Sequence, residues 1–272
     1  MLFRSGPTSD PVVIGQMVYK LRDLASLFDR EPRQLALNAY GRSVLQPIFA
    51  KVGWKPISGE SPQTTILRPL LIASLGRFDD AAIIAEAKAR FLAGPSDPGA
   101  MPGDIRWAVQ DVALSHADQA LFDTAVARVK TLKTQIEKND LLNDLGRVRD
   151  PALAKQVLNL TISDDVPVTV APNMIWRLTG WHEAVAWQFA LDHQEQINRG
   201  LDSMARSEFM PGLLADTHDP VMADRLAAYI DKTYPIDERA KPNAALASAR
   251  QGVRFKAEQY GKIDAWLKQK GF

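Results

Sequence analysis

Among the residues able to do chemistry, His182-Glu183-Ala184-Val185-Ala186 comes nearest to a reactive spacing. Two histidines four apart on a helix grip zinc while the glutamate beside the first activates water, the His-Glu-x-x-His arrangement. Ala186 stands where the second ligand must be, and the next histidine, His193, lies eleven residues beyond His182. On a continuous helix that separation is ~16 Å, too far for one ion. His182 is therefore read as a surface or partly packed residue beside Trp181 and Trp187. Gly59-Glu60-Ser61-Pro62-Gln63 falls short of the Gly-x-Ser-x-Gly elbow of a serine hydrolase and reads as a loop whose Ser61 caps a helix starting at Pro62. Neither glycine-rich phosphate loop occurs. Asp79/Asp80 and Asp164/Asp165 are contiguous acidic pairs near helix starts, where the positive helix end attracts carboxylates. The chain has no Cys, which removes disulfides and thiolate chemistry. No catalytic, cofactor-binding or metal-ligating residue is nominated, and no cofactor is expected in this chain.

The elements around these residues show a repeat. Leu75-Gly76-Arg77-Phe78-Asp79-Asp80 returns as Leu145-Gly146-Arg147-Val148-Arg149-Asp150, 70 residues on, and a weaker copy runs from Leu214 to Asp219-Pro220. Each terminal Asp sits where an N-cap belongs, and Pro151 and Pro220 occupy the first helical position, where no amide hydrogen is needed. Apolar stripes follow at helical spacing: Ile84, Ala87, Phe91; Leu153, Val157, Leu160; Met222, Leu226, Tyr229. An interval of that length fits two stacked helical pairs of roughly 35–45 residues each. The expected fold is all-α, a HEAT/armadillo-like α-solenoid, or superhelix, forming a single domain over residues 1–272.

About fourteen helices are expected. They lie near Pro11–Phe28, Pro32–Val52, Pro62–Leu75, Asp80–Ala93, Asp104–Ser115, Asp118–Leu132, Thr134–Leu145, Pro151–Thr161, Val170–Leu178, Trp181–Asn198, Leu201–Phe209, Pro220–Thr233, Asn243–Glu258 and Lys262–Lys270. Pro95 to Gly103 forms the longest loop. Pro69 and Pro172 are expected to kink a helix or to shift its start. Trp176, Trp181 and Trp187 are read as core. With 46% hydrophobic residues the chain has ample material for one, yet no apolar run reaches the ~20 residues of a membrane span, and Met1 to Asp10 holds no apolar leader core. A soluble protein is expected, cytoplasmic by default, since lack of Cys does not separate cytoplasm from periplasm.

Charge adds one feature. Arg239 to Phe272 carries eight basic residues against two acidic, although the whole chain is only +1. Such an end suits an acidic partner or nucleic acid, but a solenoid's last helices also need a polar outer face, and this reading is preferred. Nucleic acid is disfavoured.

The runs Gly53-Trp54-Lys55-Pro56 and Gly59-Glu60-Ser61-Pro62, Leu67 to Asp80, Asp150-Pro151-Ala152-Leu153-Ala154, Trp187-Gln188-Phe189, Ala249-Arg250-Gln251 and Trp266-Leu267-Lys268 resemble the C-terminal helical domain of zinc aminopeptidases of the puromycin-sensitive and aminopeptidase N type. The resemblance covers most of the chain from about Arg42 onward and implies a partial C-terminal aminopeptidase domain. In that family the zinc and the His-Glu-x-x-His and Gly-Ala-Met-Glu-Asn motifs belong to a separate upstream domain, and neither motif occurs here. What the resemblance implies is a non-catalytic capping domain that lines the substrate chamber. Its partners would be the metallo-aminopeptidase catalytic domain, where zinc is expected, and peptide substrate. The isolated chain would not be an enzyme. The alternative is a free-standing HEAT-like scaffold for an unknown protein partner. No membrane partner is expected.

Overall fold

Side chains that accept hydrogen bonds from free backbone amides decide where the helices begin. A computed structural model describes residues 10–97 and 99–272; the leader region read at Met1 to Asp10 lies outside them except for Asp10, as does Pro98 of the Pro95–Gly103 loop. The described residues form α-helices only, with one 3₁₀ turn at Ile236–Glu238 and no strand. In chain order they are α1 Pro11–Ser26, α2 Gln34–Val52, α3 Pro62–Arg77, α4 Ala81–Ala93, α5 Arg106–Ser115, α6 Gln119–Thr131, α7 Gln135–Leu145, α8 Pro151–Thr161, α9 Ala171–Asp192, α10 Gln194–Asn198, α11 Ser203–Gly212, α12 Pro220–Thr233 and α13 Ala240–Gln269. Eight N-caps use an Asp, Ser or Thr side chain: Asp10, Ser61, Asp80, Asp118, Thr134, Asp150, Asp202 and Asp219. Each such cap contributes about 1 kcal/mol.

Two compact units emerge, Met1–His116 with Tyr260–Phe272, and Ala117–Gln259. In the first, Val18, Phe28, Leu71, Ile72, Leu75, Phe78 and Ile105 are buried; in the second, Ala125, Leu141, Leu145, Val157, Met174, Leu178 and Leu226. Within each unit the odd-numbered helices lie against one another, α1 with α3 and α3 with α5, then α7 with α9 and α9 with α11. Even-numbered helices pack on them, α2 on α3, α4 on α5, α6 on α7 and α8 on α9, and make no comparably extensive contact among themselves. This stacking of near neighbours is the solenoid pattern.

Odd neighbours run in the same direction. Arg22 of α1 bonds Ser74 of α3 at 3.4 Å, and a methyl on Gly15, earlier in α1, would meet Leu70, earlier in α3. Gly76 of α3 abuts Val112 of α5, and Arg68 approaches Asp104, just ahead of α5, at 4.0 Å.

Three expectations change. The break foreseen between Leu178 and Trp181 falls at His182, whose non-helical backbone (φ −133°, ψ 41°) kinks α9 into two helical stretches, and the chain breaks again at His193, ahead of α10. The helix expected to stop at Glu258 and restart at Lys262 is continuous as α13. Gly261 weakens a helix by about 1 kcal/mol relative to Ala, but packing on its flanks offsets this: Tyr260 stacks on Phe28 at 4.5 Å and Trp266 meets Tyr40 edge-on at 4.9 Å, while Asp264 bonds Arg33 at 2.6 Å. In α4 the buried stripe is Ile83, Ala87 and Phe91, not Ile84, because residues at i, i+4, i+8 share a face as well as those at i, i+3, i+7. Leu160 and Tyr229 are likewise only half-buried, while Leu158 and Ile230 take the inward places. Pro69 sits inside α3, which runs on through it, and Pro172 takes the first turn of α9.

Candidate functional site

The residues that looked most reactive in the sequence are committed to the fold. His182 places its Nε2 3.0 Å from the Val148 carbonyl, so that nitrogen carries the hydrogen and donates. Val148 belongs to the second Leu-Gly-Arg loop. The first loop is held in the same way, with His116 Nε2 2.9 Å from the Gly76 carbonyl. His193 is not brought to His182; its ring lies 4.3 Å from Phe189. Among the described residues no three His, Asp or Glu side chains gather as a metal-binding group.

The loops' acids act as the sequence suggests. Asp80 accepts from Ala82 and Ile83 amides at 3.1 and 3.0 Å, Asp150 from Ala152 and Leu153 at 2.7 and 3.1 Å, and Asp219 from Val221 at 2.9 Å. Around the first loop, Asn38, Arg42 and Gln46 of α2, spaced i, i+4, i+8, bond Asp79, the Phe78 carbonyl and Asp80 at 2.7, 2.5 and 2.7 Å. Sequence reasoning missed this polar stripe, although its spacing is visible.

The distinctive Gly-Trp and Gly-Glu-Ser-Pro segments are tied down by Arg68, whose side chain is fully buried. It donates to Glu60 at 2.5 Å and to the Gly53 and Val52 carbonyls at 3.1 and 3.5 Å, satisfying acceptors at the end of α2 that have no helical donor. The Arg68 guanidinium, with lesser help from the Ile57 amide and the Thr65 hydroxyl, holds the Glu60 carboxyl below the usual carboxylate range. Trp54 is wedged between Phe49, edge-on at 5.6 Å, and the Arg90 guanidinium at 4.7 Å.

Two surfaces are left for recognition. Most exposed large apolar side chains of the odd-numbered helices lie in the first two turns: Val12, Val13, Ile66 and Trp107 in the first unit, Ile136, Trp176 and Met204 in the second, with Tyr19, Val185 and Phe255 further along their helices. Trp176 is 49% exposed, against the core reading; Trp187 is buried, and Trp181 lies half-buried under the Arg149 guanidinium at 4.2 Å. The second surface is a groove of about 560 Å³ between α6 and α8, lined by Phe122, Val126, Ala127 and Leu160 with Asp123, Lys130, Gln156 and Asn159. It exists because even-numbered helices stand apart. Gln119 and Gln156 exchange hydrogen bonds of 3.1 and 2.8 Å, Gln119 also bonds Asp123 at 2.7 Å, and Lys130 pairs with Asp165 at 3.4 Å. Phe122, Val126 and Lys130 at i, i+4, i+8 were the available signal in the sequence.

Comparison with known proteins gives a consistent result. Residues 3–254 match the family described as the ERAP1-like C-terminal domain. The chain is 29% identical over 162 residues to Aminopeptidase M1 of Arabidopsis thaliana, covering 57% of this chain and 18% of that protein. It is 21% identical over 220 residues to Aminopeptidase M1-A of Oryza sativa subsp. japonica, covering 79% of this chain and 24% of that protein. The chain thus spans less than a quarter of the length of these relatives. None of its described helices is long and apolar enough to cross a membrane.

Proposed function

This chain belongs to the ERAP1-like C-terminal domain family, and from that membership we propose that it acts as a non-catalytic capping domain that shapes the substrate chamber of a zinc aminopeptidase. A separate catalytic domain carries out the peptide hydrolysis. The observation that carries this reading is the match over residues 3–254; the names Aminopeptidase M1 and M1-A supply the activity of the relatives. Among the described residues, those of the near-motif do not fit the zinc of such an enzyme. His182 uses Nε2 on a backbone carbonyl, and Ala186 has no ligand atom. What the chain contributes is surface: within each unit, exposed apolar side chains in the first turns of the odd-numbered helices, and in the second unit a groove lined by both apolar and polar side chains, features that bind and orient a peptide without reacting with it.

The test uses the purified chain with zinc, an aminoacyl-p-nitroanilide, and fluorescein-labelled peptides of increasing length. Expected are no nitroaniline release above the buffer rate and measurable binding of the longer peptides, weakened by Val126→Arg in the groove or Trp176→Ala at the apolar edge. Metal-dependent turnover abolished by a chelator would overturn the reading. A free-standing scaffold that grips a folded partner is the second reading, favoured by the same exposed apolar residues; it predicts that peptide length has no effect on binding.

A further inference from the structure

Two arginines draw the α2–α3 and α4–α5 loops together in the first unit. Arg68 holds the Val52 and Gly53 carbonyls and Glu60 of one loop and approaches Asp104 of the other at 4.0 Å. Arg90 lies over the Trp54 ring at 4.7 Å and donates to the Ala100 carbonyl at 3.0 Å. Lys55 and Ile57 of the first loop stay outside, as do Arg106 and Trp107 in the first turn of α5, which follows the second. Ile57 is 63% exposed and Trp107 45%. Lys55 and Arg106, with Lys51 at the end of α2, are exposed and have no ion-pair or hydrogen-bond partner among the described residues. The acids of these loops are turned to other work: Glu60 bonds Arg68, Asp104 lies toward the same guanidinium, and Asp97 accepts from the Gly99 amide at 2.8 Å. No side chain caps α5, so the positive end of that helix adds to the charge of Arg106.

We propose that the patch of the first unit carrying Lys55, Ile57, Arg106 and Trp107 docks an acidic segment of a partner protein that also presents an apolar side chain. The occupant follows from complementarity. Unneutralised cations call for carboxylates, and the Arg106 guanidinium donates to one in a two-point fork. Arg and Trp are residue types that anchor protein interfaces, and here they stand side by side, with Ile57 exposed on the neighbouring loop. Because both loops meet at one guanidinium, a short extended segment, ~20 Å for about six residues, reaches the exposed side chains of each. Anionic lipid fits less well, since its recognition uses clusters of about four to eight Lys or Arg, and so does nucleic acid, because so few phosphate contacts give little affinity at physiological salt. Trp107 also belongs to the apolar surface on which the capping reading draws, but the inference does not rest on that reading: it concerns the composition of the bound segment, not its length.

The experiment is fluorescence anisotropy of the full chain with a short labelled peptide in which glutamates flank a pair of leucines, and with the same peptide carrying glutamines instead. Labelled oligothymidylate and phosphatidylserine vesicles are run beside them, at low and at physiological salt. The glutamate peptide is expected to bind, more weakly as salt rises, and the glutamine peptide about tenfold less tightly or worse. Lys55→Glu with Arg106→Glu should weaken the glutamate peptide about tenfold or more, and Trp107→Ala should weaken it by a smaller factor that salt does not alter. Neither cation has an internal partner to lose, so the circular dichroism should be unchanged. Arg250→Glu, an exposed position in the second unit, serves as the control and should have no effect. Equal binding by the double variant or of the glutamine peptide, equal loss in the control, or tighter binding of the oligonucleotide or the vesicles would overturn the proposal. A dependence on peptide length without a preference for glutamate would overturn it alone and leave the capping reading standing.

Discussion

Gly146→Ala tests whether the second Leu-Gly-Arg loop is pressed against α9 as tightly as the structure has it. Gly146 has φ −66° and ψ 2°, a conformation that suits alanine. In open space the substitution would stabilise by about 0.4–1 kcal/mol by restricting the unfolded chain. The space is not open. The new methyl would lie 2.6 Å from the Met174 carbonyl oxygen, 3.0 Å from Arg177 Cβ and 3.2 Å from the Asn143 carbonyl oxygen, where comfortable separations are roughly 3.5 Å. Two of these neighbours are backbone, so α9 must retreat, and overpacking of this kind costs about 1–3 kcal/mol. The expected net loss is about 1–2 kcal/mol. Gly180→Ala, in α9 with nothing within 4 Å, removes a helical glycine from open space and should gain about 0.5–1 kcal/mol. The two substitutions should therefore differ in sign. Urea denaturation followed by far-UV circular dichroism reads both, as shifts in midpoint at unchanged slope. A Gly146→Ala protein as stable as wild type would refute the reasoning.

Three further outcomes follow from the same geometry. Asp150→Ala frees two amides and should lose about 1 kcal/mol, whereas Asp219→Ala frees one and should lose less, both by urea titration. His182→Ala leaves the Val148 carbonyl without its donor and should cost about 1–2 kcal/mol; zinc should raise the melting temperature of neither the wild type nor this variant, and a zinc-dependent rise seen only in the wild type would mean the imidazole is a ligand. Glu60 has a folded pKa held below its ordinary value by Arg68, so the unfolded chain binds more protons. Its contribution is complete above the ordinary glutamate range near ~4.3 and fades as pH falls through the lower folded value. Glu60→Gln should flatten that acid limb of a stability–pH profile. Asp264, lowered by Lys268 and Arg33, should keep a limb of its own.

The helices were legible because local chemistry sets them. Asp80, Asp150, Asp219 and Ser61 mark their starts whatever the tertiary surroundings, and Pro151–Thr161 and Pro220–Thr233 were placed to the residue. The miss at Gly261 has the opposite cause. A glycine there is a local reason to stop, overruled by Phe28, Tyr40 and Arg33, which stand more than two hundred residues earlier in the chain and cannot be paired with α13 from spacing. His182 shows the same limit at the site: its failure as a zinc ligand was readable from Ala186, but its service to Val148, 34 residues back, was not. Trp176 and Trp187 look alike in sequence, and only the kink at His182 and the packing of α9 decide that one is exposed and the other buried.

At Asp10, Asp150 and Asp219 the capping residue is followed directly by proline, which makes the start of the helix also a chemically weak bond. Aspartyl–prolyl peptides hydrolyse in warm acid because the aspartate carboxyl attacks its own carbonyl while the basic prolyl nitrogen leaves. In the folded chain those carboxylates are occupied, accepting the first-turn amides, so scission has to wait until each cap opens. The rate of scission at each bond is then a clock for the opening of that one helix start. Cutting at Asp150 and Asp219 releases Pro151–Asp219, a single repeat freed intact by acid alone, without a protease or an engineered site.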